Sequence, residues 1–110
     1  MSPFKLPIVL SLVLSTFAPI AHADAKPTLA TWYATCRHGP LCVASWEYDI
    51  GTKLSLRNLE TGKSAVGVVL DRGPEKWTGK KLDVSLPIAR ELGMVSAGVA
   101  VIDVQVIGRP

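Results

Sequence analysis

The sequence predicts a mainly β domain whose strands close into a small barrel. Strand-like segments outnumber helical ones by about five to one. No βα unit repeats, which excludes a parallel doubly wound sheet. So many short strands would leave pairing-prone edges unless the sheet closes on itself.

The chain opens on a segment that does not belong to the fold. Lys5 precedes an apolar run from Leu6 to Phe17, and "APIAHA" then offers small residues at a cleavage position, the pattern of a secretory signal peptide over residues 1–23, cut after Ala23. The run is about a dozen residues where a membrane-spanning helix needs ~20, and no stop-transfer charges follow, so an integral membrane protein is not expected after cleavage. No cysteine near the cut offers a lipid anchor. The barrel is expected over residues 24–110, periplasmic or secreted. That length suits one domain and is too short for two. With Lys5 removed, eleven Lys and Arg face nine Asp and Glu, a balance of +2 that does not imply nucleic acid.

After the polar "DAKP", Thr28 to Thr35 ("TLATWYAT") is rich in β-branched and aromatic residues and reads as a strand. Cys36 and Cys42 follow in "CRHGPLC" and are the only cysteines of the chain; an exported compartment favours pairing them. Two free buried thiols are the alternative, and a metal site lacks ligands because His38 is the only other soft donor nearby. "TKLSLRNL" alternates, with Leu54 and Leu56 on one face. "ETG" turns the chain, Gly62 supplying the positive dihedral, and "SAVGVVLD" is nearly continuous in apolar residues, which predicts a strand buried on both faces.

Arg72 to Lys81, with two Gly, one Pro and three Lys, reads as a surface loop. "KLDVS" is a short strand. In "SLPIARELGM", Ser85 stands at an N-cap, Pro87 in the first turn and Gly93 where a helix of two turns ends. "VAVIDVQVI" alternates about Asp103 and Gln105 and reads as the last strand, with Ile102, Val104 and Val106 turned to the core.

Two acids stand at strand ends. A carboxylate closing a buried run costs several kcal/mol unless donors meet it, so Asp71 and Asp83 each need a reason. Asp71 can bond the backbone of its own "DRGP" turn, and Asp83 the amides that start the helix. Alternatively, a partly desolvated carboxyl that keeps its proton is a general acid. Paired acids invite a glycosidase reading, in which two carboxyls flank the scissile bond. Trp32, Tyr33, Trp46, Tyr48 and Trp77 offer flat faces for sugar rings, with core or loop packing as the alternative. Thr35 and Ser45 count as polar substrate contacts. His38 is a weaker candidate for a base, and no G-x-S-x-G elbow or phosphate-binding Gly loop is present.

Over nearly the whole expected mature chain, "ATWYA", "GTKLSLRNLETGKSAVGVVLDRGP", "KKLDVSLPIARELGM" and "GVAVIDVQVI" together resemble the double-psi β-barrel domain of rare lipoprotein A, a barrel shared with expansins, barwin-like domains and certain exported protease inhibitors. The resemblance implies a six-stranded double-psi β-barrel with one or two short helices, and a peptidoglycan groove across one rim. It also implies lytic transglycosylation without a cofactor. Asp71 occupies the aspartate of the family's "DRGP" motif and Asp83 that of the expansin "LDLS" motif, which makes Asp71 the expected general acid and base and Asp83 its companion at the sugar. Family enzymes usually carry an acidic segment with a Glu and an Asp before the second strand, and a His before "GT". Here that segment is shortened to "CRHGPLC" and Ser45 stands for the His. Two further functions are therefore expected alternatives: a non-catalytic expansin-like polysaccharide binder, or a protease inhibitor presenting the stapled loop.

Overall fold

The computed structural model describes residues 26–110, so the expected leader and its cleavage point lie outside the described residues. Six strands form: β1 (Lys26–Tyr33), β2 (Cys42–Ser45), β3 (Lys53–Asn58), β4 (Ser64–Asp71), β5 (Leu82–Ser85) and β6 (Val99–Gly108). One helix, α1 (Leu86–Leu92), stands between β5 and β6, and a 3-10 turn covers Lys76–Thr78. The strands hydrogen-bond in the order β1-β5-β2-β4-β3-β6, and β6 returns to β1, closing the barrel. β1 with β5 and β2 with β4 run parallel, while the other four pairings are antiparallel. This is the double-psi barrel that the sequence implied, and it leaves no open edge.

The first strand begins two residues earlier than expected and ends at Tyr33, leaving Thr35 in the loop that follows. In β3, Leu54 and Leu56 enter the core as the alternation requires. The turn into β4 is held by Asn58, whose Oδ1 accepts from the backbone N–H of Glu60 at 2.9 Å and of Thr61 at 3.4 Å. Gly62 takes a φ of +78° there. Asn58 is fully buried, and its Nδ2 donates to the carbonyl of Leu92 at 2.9 Å, an acceptor at the end of α1 that also takes the Thr61 hydroxyl at 2.9 Å.

One expectation is overturned in β4. The strand is not buried on both faces: Ala65, Gly67 and Val69 face in, while Val66 is 42% exposed. Its continuous apolar run reflects one core face and one apolar outer face, since a barrel wall has protein on its inner side only. Gly67 is required by close approach, because a Cβ there would stand 2.5 Å from Cγ2 of Val43 and 3.1 Å from Cδ1 of Ile88.

α1 closes one end of the barrel with Ile88, Ala89 and Leu92 buried. Gly93 ends it in the left-handed region at φ +69°, its N–H bonding the carbonyls of Ala89 and Arg90. Ser85 occupies the N-cap position, but its side chain does not cap. Its hydroxyl instead donates to the carbonyl of Pro40 at 2.6 Å, tying the cysteine loop to the helix start. Cys36 and Cys42 form the disulfide.

Candidate active site

Asp71 and Asp83 meet because both flank Ala44. Ala44 in the short β2 pairs with Asp71 of β4 on one side and with Asp83 of β5 on the other, and Asp83 pairs in turn with Thr31 of β1. Four adjacent strands thus carry one row of residues across the barrel wall. Two strand spacings put the two aspartate backbones about 10 Å apart.

The outward aim of Asp71 depends on a bulge. The β2–β4 register runs Val43↔Val69 and then Ala44↔Asp71, so Leu70 is an extra residue in β4. Strict alternation from the inward Val69 would turn Asp71 into the core. The extra residue brings it instead to the outer face beside Ala44, the re-aiming that bulges next to functional sites provide. Asp83 needs no such device, because Leu82 and Val84 on either side of it are both buried in the core.

Together these residues line an open cleft of about 390 Å³, with Thr31, Tyr33 and Asp83 on one wall and Asp71 and the turn from Arg72 to Glu75 on the other. Asp71 accepts the backbone N–H of Arg72 at 2.8 Å, the local turn bond expected of it. Asp83 does not bond the helix amides; its Oδ1 accepts the hydroxyl of Thr31 at 3.0 Å. Each carboxyl keeps further acceptor capacity toward the cleft.

Burial raises the pKa of Asp83 above its ordinary value; the Thr31 hydrogen bond works against that rise and the negative charge of Asp71 adds to it. Tyr33 is pushed up to about 12, first by burial and then by the charges of Asp71 and Asp83. Its hydroxyl lies 3.0 Å from Sγ of Cys42, so the disulfide backs the tyrosine wall. Arg72 locks the opposite wall, donating from Nη1 to the carbonyls of Ser45 at 2.9 Å and Tyr48 at 2.8 Å.

No family model matches the chain. Among curated proteins, it is 41% identical over 59 residues to the probable endolytic peptidoglycan transglycosylase RlpA of Nostoc sp., covering 54% of this chain and 16% of that one. It is 30% identical over 90 residues to the probable endolytic peptidoglycan transglycosylase RlpA of Aquifex aeolicus, covering 71% of this chain and 39% of that one. A match to the endolytic peptidoglycan transglycosylase RlpA of Pseudomonas aeruginosa is 29% identical and covers 82% of this chain and 30% of that one. The chain is an RlpA-like double-psi β-barrel domain. It spans well under half the length of these relatives. The crystal structure of apo Clavibacter michiganensis expansin shares the fold, with a TM-score of 0.58 and 23% identity over 78% of this chain and 52% of that one.

The RlpA-like barrel disperses the other residues singled out from sequence. Trp32 lies on the face of β1 opposite to Thr31 and Tyr33; its ring packs against the core, and Nε1 donates to the carbonyl of Val95 at 3.1 Å. Thr35 is exposed in the loop after β1, outside the cleft lining. Ser45 is fully buried, its hydroxyl accepting the N–H of Glu47 at 2.9 Å and of Tyr48 at 3.4 Å, so it supports the turn that Arg72 grips. Trp77 is 83% exposed on the 3-10 turn and lines a neighbouring hollow with Trp46, beyond the Arg72–Glu75 turn. His38 lies exposed in the stapled loop, outside the cleft lining. Among the described residues, no group of three or more His, Cys, Asp or Glu is placed to hold a metal ion, and no helix is long and apolar enough to cross a membrane.

Sequence reasoning missed Thr31, Arg72 and Lys80 in the cleft. A signal for Thr31 was present: with Tyr33 on one face of a strand, period-two alternation puts Thr31 beside it and Trp32 opposite.

Proposed function

We propose that this RlpA-like barrel acts on the glycan strands of peptidoglycan in the bacterial envelope, laying a strand across the Asp71–Asp83 cleft and cleaving it by lytic transglycosylation. The observation that carries the reading is the single row Asp71, Ala44, Asp83, Thr31 across the outer wall, which puts two carboxyls on one cleft. A backbone spacing of about 10 Å lets the two side chains flank a glycosidic bond at the ~5 to 9.5 Å used by paired-carboxyl enzymes. The kinship to proteins named as peptidoglycan transglycosylases supplies the substrate class.

The roles divide by environment. Burial raises the pKa of the half-buried Asp83, which favours its protonated form, and the Thr31 hydroxyl occupies one of its oxygens. We therefore assign the acid to Asp83 rather than to the Asp71 expected from sequence, because burial raises the Asp83 pKa. Asp83 protonates the glycosidic oxygen as the bond to the muramyl anomeric carbon breaks. The resulting carboxylate then takes the proton of the muramyl C6 hydroxyl as that oxygen closes on the anomeric carbon. The proton count balances without water. Asp71, across the cleft, is placed to stabilise the positive charge developing at the anomeric carbon, and Tyr33 packs against the sugar.

A second reading has its own observation. The cleft lining includes no histidine, and Glu75 is its only other acid, so the same groove could bind and loosen a polysaccharide without cleaving it. No comparable observation favours protease inhibition. Incubating purified sacculi with the mature protein separates the readings: falling turbidity with wild type but not with Asp83→Asn supports cleavage. Equal sedimentation of both proteins with undigested sacculi supports the binder, and no sedimentation of either removes both.

A further inference from the structure

We infer that the ledge beside the cleft, formed by Trp46, Trp77, Lys76 and Lys81, is a subsite for a sugar bearing a carboxylate. This rests on the glycan reading above and adds the charge of the substrate to it. Nε1 of Trp46 donates to the carbonyl of Pro74 at 2.9 Å, and the side chain remains 52% exposed. Nζ of Lys76 stands 4.8 Å from the centre of that ring. Lys76, Lys80 and Lys81 line one hollow with Trp46 and Glu47, and Lys80 lines the Asp71–Asp83 cleft as well, so the ledge is continuous with it.

The hollow at the ledge carries an excess of positive charge, three lysines against the one acid Glu47. Among the described residues the one ion pair is Lys26 with Glu47, so neither Lys76 nor Lys80 nor Lys81 has a carboxylate at ion-pair distance. Of the nearby acids, Glu47 is engaged by Lys26, and Glu75 accepts Nε1 of Trp77 at 3.3 Å. Clustered ammonium groups repel one another, and an anion among them relieves that cost. The indole of Trp77, 83% exposed, gives the apolar side of a sugar ring a surface to stack on. The pairing of the two, flat faces rimmed by cations, fits a ring with an acidic substituent better than a neutral one. Peptidoglycan offers that chemistry from two sources: the lactyl carboxylate of the muramic sugar itself, free where the peptide has been removed, or the carboxylates of the peptide stem.

Binding constants for three ligands test this: glycan strands stripped of peptide, strands carrying stems, and chitin oligosaccharides, which have the sugar backbone and no carboxylate. At low salt the wild type is expected to bind at least one carboxylate-bearing strand roughly threefold to tenfold more tightly than chitin oligosaccharide, with the gap closing at ~0.3 M salt. Preference for stripped strands assigns the lactyl carboxylate, and preference for stem-bearing strands assigns the stem. The double variant Lys76→Gln/Lys81→Gln is expected to lose the preference and keep its chitin binding, which also shows that it is folded. Equal binding of all three ligands by wild type at low salt, or a preference that survives in the double variant, overturns the inference and leaves the glycan reading standing. Binding to none of them overturns both.

Discussion

On the proposed reading, the chemistry of the cleft turns on the environment of Asp83. Its raised pKa makes the protonated acid available, so activity is expected to fall as pH rises through the folded-state value. Asp83→Asn is expected to lower turnover of glycan by 10²- to 10⁴-fold, the usual share of general acid catalysis, measured as the rate of product release. Stability follows the same direction. The unfolded chain releases this proton near 3.8 and the folded chain releases it later, so the stability carried by protonated Asp83 is complete below 3.8 and lost as pH rises through the folded value. Asp83→Asn is therefore expected to melt slightly higher than wild type at neutral pH, which separates loss of activity from loss of fold. Tyr33 reports on the same charges. Its phenol should ionise at about 12, read by ultraviolet absorbance, and at a lower pH in the Asp71→Asn/Asp83→Asn variant, with most of the shift retained because burial is its main cause.

Among the elements, β2 matters most to the site and was least legible. Cys42–Ser45 has four residues, too few for periodicity, and all are buried, so no alternation marks it. It nevertheless supplies Ala44, the residue that both aspartates flank. The bulge at Leu70 was equally hidden, since an extra residue is a property of the pairing and not of β4 alone. The alternating strands β3 and β6, and the helix framed by Pro87 and Gly93, were legible because each carries its own period or stop signal. Two substitutions test how the elements meet. Gly67→Ala forces a Cβ to 2.5 Å from Val43, and is expected to cost about 1 to 3 kcal/mol in denaturant melts. Replacing Cys36 and Cys42 by Ala opens a short loop and is expected to cost about 2 kcal/mol. Because Cys42 backs Tyr33, that variant should also bind glycan more weakly.

Across the whole molecule, closure of the sheet is what makes a small domain able to hold two acids on its outer wall. β6, with ten residues, pairs with both β1 and β3 and so completes the ring, leaving the row from Asp71 to Thr31 on a rigid, fully paired surface. The aspartates stand out in the sequence as acids beside apolar runs, although Asp83 lies inside β5 rather than at its end, while their placement on one cleft depended on strand order, in which β5 and β4 lie on either side of β2. On the proposed reading, catalysis falls to this one row, since the cleft lining holds no histidine and no acid besides Asp71, Asp83 and Glu75. The most direct measurement is mass spectrometry of sacculi incubated with the mature protein. Muropeptides ending in 1,6-anhydro-muramic acid are expected with wild type and absent with Asp83→Asn. Hydrolytic ends carrying a free reducing muramic acid, or the same anhydro yield from both proteins, would contradict the account.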